Sequence, residues 1–119
     1  MKATDKKGND IRELYFSDEF VEFYSMLQDK VKVKFEHTMD IIRTEYVLST
    51  KFVKHLENKN LYEMRVSVNT NEYRTILFAV DNIILSKKIL LLNGFLKKST
   101  KDYSKQIKIA ERILKDFEL

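Results

Sequence analysis

ILLLNGFLKKSTKDY, residues Ile89–Tyr103, runs a continuous apolar segment directly into a cationic exit. An apolar run of this kind reads as a central strand covered on at least one face. Gly94 at its end suits a bulge or a close backbone approach, and Phe95 beside it suits the core. Lys97 and Lys98 then place two ammonium groups where the strand leaves the core. From Asp102 to Leu119 the pattern is helical: Ile107, Ala110, Leu114 and Phe117 form an apolar stripe, with Ile113 at its edge. At about 100° per residue, Lys105, Lys108, Arg112 and Lys115 fall together on the opposite side.

Upstream of this stretch, LYEMRVSV (61–68) and EYRTILFAV (72–80) carry strand patterns, separated by the turn residues Asn69–Asn71. Asp81-Asn82 marks a further turn before IILSKKILLLNGF. Nearer the N-terminus, Ile11–Phe16 reads as a first strand, and Ser17 as the N-cap of a short helix with Phe20, Phe23, Tyr24 and Leu27 on one side. Asp29 is a second possible cap. Val31, Val33 and Phe35 alternate as a strand would. Yet Val31, Phe35, Met39, Ile42 and Tyr46 recur at helical spacing over four turns, which predicts a helix ending near Leu48. The expected order is β-α-α-β-β-β-α, an α+β domain with a small antiparallel sheet.

Composition bounds the function. The chain has 119 residues, 44% hydrophobic and 12% aromatic, enough for one modest core. Residues 1–10 read as a flexible lead and 11–119 as a single domain. A formal net charge of +4 favours an anionic partner without requiring one. The absence of cysteine excludes disulfides, thiolate metal sites and Cys nucleophiles, and fits a cytoplasmic protein. With His37 and His55 as the only histidines, neither a zinc centre nor another metal site is expected, and no cofactor motif is present. The polar MKATDKKGND start fits neither a signal peptide nor a membrane anchor.

LYEMR, EYRTILF and LLNGFLKKSTKDY, in that order and ahead of a terminal helix, resemble the RelE/ParE superfamily of toxins, and more narrowly its HigB-like, phage-derived branch. The resemblance runs from about Ile11 to Asp116. It implies a RelE-like sheet with helices packed on it, ribosome-dependent endoribonuclease cleavage of mRNA without a metal, and inhibition by an antitoxin, a helix-turn-helix protein. ParE-like inhibition of DNA gyrase, and an inactive binding member of the fold, are the alternatives.

Attack of an RNA 2′-hydroxyl on the adjacent phosphate needs alignment, proton transfer and stabilisation of added negative charge. Arg74 matches the family's Tyr-Arg position and is the first candidate for charge stabilisation. Arg65 on the neighbouring strand follows, since guanidinium forks suit phosphate oxygens. Lys97 and Lys98 would orient phosphates, and Lys101, Lys105, Lys108 and Arg112 would hold RNA along the helix. For proton transfer the candidates are Tyr103 and His55, with no acid–base pair evident. Each has a structural alternative: arginines paired with Glu63 or Glu72, lysines in a solvated turn, a solvated helical face, an exposed His, a locally packed Tyr. Asn93 stands where relatives often carry His before Gly-Phe, which would weaken or reroute proton transfer there.

Overall fold

The computed structural model describes residues 2–3, 10–57, 60–99 and 101–117. Its elements are β1 (Lys2–Ala3), β2 (Glu13–Phe16), α1 (Asp18–Ser25), α2 (Asp29–Thr44), β3 (Val53–His55), β4 (Leu61–Val68), β5 (Asn71–Ala79), β6 (Lys88–Leu96) and α3 (Lys101–Lys115). They build one six-stranded sheet in the order β1-β2-β6-β5-β4-β3. The α+β class and the expected elements hold, with two short strands, β1 and β3, added at the edges. Of the lead expected to be flexible, Lys2–Ala3 pair with Tyr15–Phe16 and Asp10 is buried, whereas residues 1 and 4–9 lie outside the described residues.

The sheet is mixed rather than wholly antiparallel. β3, β4, β5 and β6 pair antiparallel, but β2 lies parallel to β6, Glu13–Phe16 beside Lys88–Leu91. The helical segment between β2 and the rest of the sheet lets the chain cross over and return in the same direction. Ser17 fastens this seam. Its side chain caps α1 by accepting from the Phe20 N–H at 2.9 Å, its hydroxyl donates to the Leu92 carbonyl, and its N–H donates to the Leu91 carbonyl at 3.0 Å.

Each face of the sheet carries its own core. Against α1 and α2 pack Leu14, Met64, Val66, Leu77, Ile89 and Leu91. Phe35, fully buried, stands at the centre of an aromatic group, 5.9 Å from both Phe23 and Tyr73 and 6.2 Å from Tyr24. Against α3 pack Leu61, Ile76, Leu90, Leu92 and Phe95, closed by Ala110 and Ile113. β6 serves both sets by alternation, interrupted by one bulge: Ile76 faces Asn93 while Leu77 faces Leu91, so Leu92 is the extra residue. Beyond the bulge Asn93 and Phe95 face α3, and Gly94 faces α1.

α2 ends at Thr44, one turn earlier than its apolar spacing predicts, and Tyr46 is exposed rather than on the stripe. Arg12 is the cause. Its guanidinium, 1% exposed, donates to the carbonyls of Ile42 (2.8 Å), Glu45 (2.6 Å) and Tyr46 (2.8 Å) at the helix end, and to Ile83 (2.9 Å). Carbonyls that another helical turn would have used are taken by a side chain instead. At the other end Gln28 occupies the N-cap without a side-chain bond, and Asp29 is the first helical residue.

Candidate functional site

Strand alternation turns Glu63 and Arg65 of β4, and Glu72 and Arg74 of β5, toward the face that α3 covers. Arg65 and Arg74 are register partners, directly opposite each other. Two like charges so placed repel, and the carboxylates beside them compensate. Glu63 Oε1 lies 3.5 Å from Arg65 Nε, and its Oε2 lies 4.0 Å from Arg74 Nε. Glu72 Oε1 accepts from Arg74 Nη2 at 3.3 Å.

Arg74 is 3% exposed and each of its nitrogens has an acceptor. Nε donates to the Tyr103 hydroxyl at 3.0 Å and Nη1 to the Tyr73 carbonyl at 3.0 Å, beside the Glu72 contact. Arg65 is more open, and its Nη1 donates to the Thr50 carbonyl at 3.3 Å. Tyr103, in the first turn of α3, meets Phe95 edge-on at 5.6 Å and carries the Lys97 ammonium 5.8 Å above its ring. Burial, and then the facing Glu63 carboxylate, push its phenol up to about 12. At neutral pH it therefore holds its proton. Glu72 is held below its ordinary carboxylate value, first by hydrogen bonding to Ser67 and then by Arg74.

Glu63 is the site residue that the sequence reading treated only as an ion-pair partner. It is 3% exposed, and its Oε2 is buried with no hydrogen-bond partner. That oxygen lies 4.0 Å from Arg74 Nε and faces the Tyr103 phenol, and a buried carboxylate so placed can accept a proton. The signal was present in LYEMR: a carboxylate two residues before Arg65 in a strand must share its face.

The structure thus brings Arg65, Arg74, Lys97 and Tyr103 together. Lys98 is exposed past the end of β6. Lys101, Lys105, Lys108 and Arg112 are exposed on α3, away from its buried Ala110 and Ile113. His55 is not brought in. Its register partner is Tyr62, on the α1–α2 face, and the two rings stack at 4.5 Å. Asn93 is occupied structurally, its amide donating to the Gln106 carbonyl at 3.2 Å and to Gln106 Oε1 at 2.9 Å. Among the described residues no three His, Cys, Asp or Glu side chains group as metal ligands, and no helix is long and apolar enough to cross a membrane.

The profile of the family described as Phage derived protein Gp49-like (DUF891) matches residues 22–115. Among solved structures, the chain is similar to E. coli toxin RelE, an arginine-to-alanine double mutant in the free state. The TM-score is 0.59 at 12% identity, covering 83% of this chain and 96% of that one. This likeness concerns the fold. Curated protein sequences give no match.

Proposed function

Because the chain belongs to the phage-derived Gp49-like family and has the fold of the RelE/ParE toxins, we propose that it is the toxin of a type II toxin–antitoxin pair. In this reading it is a cytoplasmic endoribonuclease that cuts mRNA on the ribosome and so inhibits translation, as in the HigB-like branch. A helix-turn-helix antitoxin holds it in check. The observation that carries the reading is the buried Glu63 carboxylate, whose Oε2 has no close hydrogen-bond partner and lies 4.0 Å from Arg74 Nε, beside Arg65 and Tyr103.

The chemistry follows from these groups. Glu63 accepts the proton of the RNA 2′-hydroxyl as its oxygen bonds to the adjacent phosphorus. Arg74, Arg65 and Lys97 stabilise the added charge on the phosphoryl oxygens. The bond from phosphorus to the 5′-oxygen breaks, and that oxygen takes a proton from the Tyr103 phenol, leaving a 2′,3′-cyclic phosphate and a 5′-hydroxyl. Glu63 needs no partner histidine, so the position of His55 is no obstacle. A phosphate reaching Arg74 replaces Glu72 or Tyr103 among its acceptors, and ordering of mRNA by the ribosome supplies the alignment.

The internal satisfaction of Arg74 favours a second reading, a member of the fold that binds without cutting. One experiment separates them. The chain is expressed without its antitoxin, and mRNA 5′ ends and DNA damage are followed. The nuclease reading expects growth arrest with cuts inside coding regions, and a loss of about 100- to 1,000-fold in cleavage for Arg74→Ala. Arg74→Lys serves as a variant that keeps the charge should the alanine form fail to fold. A folded Arg74→Ala protein with undiminished cleavage sinks the site. Arrest with intact mRNA and damaged DNA points to a gyrase inhibitor.

A further inference from the structure

At the edge of the sheet, ahead of the start of β3, a notch of about 200 Å³ opens between α2 and β4. Lys34, His37, Lys51 and Arg65 line it together with Phe52 and Ser67, and no carboxylate is among the described residues that line it. The basic groups come from three separate elements, so helix periodicity alone does not account for their convergence. The wall is built, not merely exposed. Phe52 and Val53 N–H groups both donate to the Ser49 carbonyl, at 2.9 and 3.0 Å, and Lys51 N–H donates to Ser49 Oγ at 3.2 Å. The Arg65 guanidinium holds the Thr50 carbonyl, and its backbone N–H donates to the Phe52 carbonyl at 2.8 Å. Lys51 carries its ammonium 5.5 Å from the centre of the half-exposed Phe52 ring.

Arg65 is common to this notch and to the Glu63–Arg74 cluster. We propose that the notch is a second phosphate subsite, which takes the backbone of single-stranded RNA that Arg65 hands on from the cluster. The proposal rests on the nuclease reading above and extends it by a binding site of its own. Lys34 and Lys51 are exposed, as suits contacts to a polymer that slides in from solvent. RNA is favoured over an acidic protein segment because the notch shares Arg65 with the cluster proposed to act on the phosphate.

The test is equilibrium binding of a labelled oligouridylate to the full chain as salt is raised. Each phosphate contact to a single strand contributes about 0.7 to the slope of log K against log salt. Lys34→Gln with Lys51→Gln should lower the slope by about 1.4, a loss of about 25-fold at 0.1 M salt if the curves meet near 1 M. Lys87→Gln with Lys88→Gln, the same charge removed at the far end of β6, should leave the slope nearly unchanged. An equal fall in both pairs overturns the subsite and shows only a general charge effect. No fall in the notch pair, with a clear fall for Lys97→Gln, overturns the subsite and leaves the nuclease reading intact. Loss of polyglutamate binding with RNA binding unchanged assigns the notch to an acidic protein instead. An unaltered chain that does not bind the oligouridylate at low salt overturns the subsite, while the mRNA cleavage assay still judges the reading it rests on.

Discussion

Gly94→Ala is the sharpest probe of how β6 meets α1. A Cβ built at Gly94 lies 2.3 Å from Cδ2 and Cε2 of Phe23, and 2.9 Å from its Cζ. Carbon atoms rest comfortably at about 3.5–4.0 Å, so the ring must retreat by more than about 1 Å. It cannot move inward, because Phe20 and Phe35 lie 6.1 and 5.9 Å from it, centre to centre. Moving outward gives up those ring contacts, each worth about 0.5–1.5 kcal/mol. Against this, alanine is better than glycine in a strand by roughly 0.5–1 kcal/mol. The balance is a net loss of about 1–2 kcal/mol, measurable as a lower urea midpoint with unchanged slope. The partner ring makes the reasoning refutable. In a Phe23→Ala background the clash is absent, and Gly94→Ala should become neutral or stabilising by about 0.5 kcal/mol. If the substitution costs as much without the Phe23 ring as with it, close approach is not the reason for this glycine.

Arg12→Met should cost about 3–5 kcal/mol, since it strips buried carbonyls of their donor, and a thermal melt within about 1 kcal/mol of the parent would contradict the clamp. Tyr103 gives a pH test. Its phenol titrates higher folded than unfolded, so the unfolded chain loses its proton first and stability falls as pH rises from about 10 toward about 12. Tyr103→Phe should flatten that part of the urea midpoint profile, leaving the decline due to Tyr24, whose phenol is raised by burial and then Glu36, and to Tyr15, raised first by its hydrogen bond to Glu13. An unchanged profile would show that Tyr103 feels neither burial nor Glu63. Glu63→Gln should abolish mRNA cleavage while oligouridylate binding persists. Retention of full cleavage would remove Glu63 from proton transfer.

Local pattern carried most of the architecture. The β-branched residues of β4 and β5 and the apolar run of β6 identify strands because each is long enough to show its period. Alternation also put Arg65 and Arg74 on neighbouring strands. What local pattern lacks is the partner. β3 is three residues long and exists because Val53 and His55 find Met64 and Tyr62, and its register sends His55 to the face opposite Arg74. The α2 boundary is not legible locally because its stop lies not in its own residues but in Arg12, thirty positions upstream of Ile42. The extra residue at Leu92 has no marker of its own either, yet it turns Asn93 toward Gln106.

The parallel seam between β2 and β6 also bears on the order of assembly. Glu13–Phe16 find their neighbours in Lys88–Leu91, with the whole of α1, α2 and three strands in between. The antiparallel strands β4, β5 and β6 follow one another and can form as a meander from contacts near in sequence. β2 must wait, since its closure encloses a long loop whose entropy is lost before any ladder bond returns it. Until that moment the β6 edge is an unpaired row of backbone donors and acceptors. The step that completes the fold is therefore also the one that hides its stickiest edge, and weakening the Ser17 fastening should show first as aggregation during refolding.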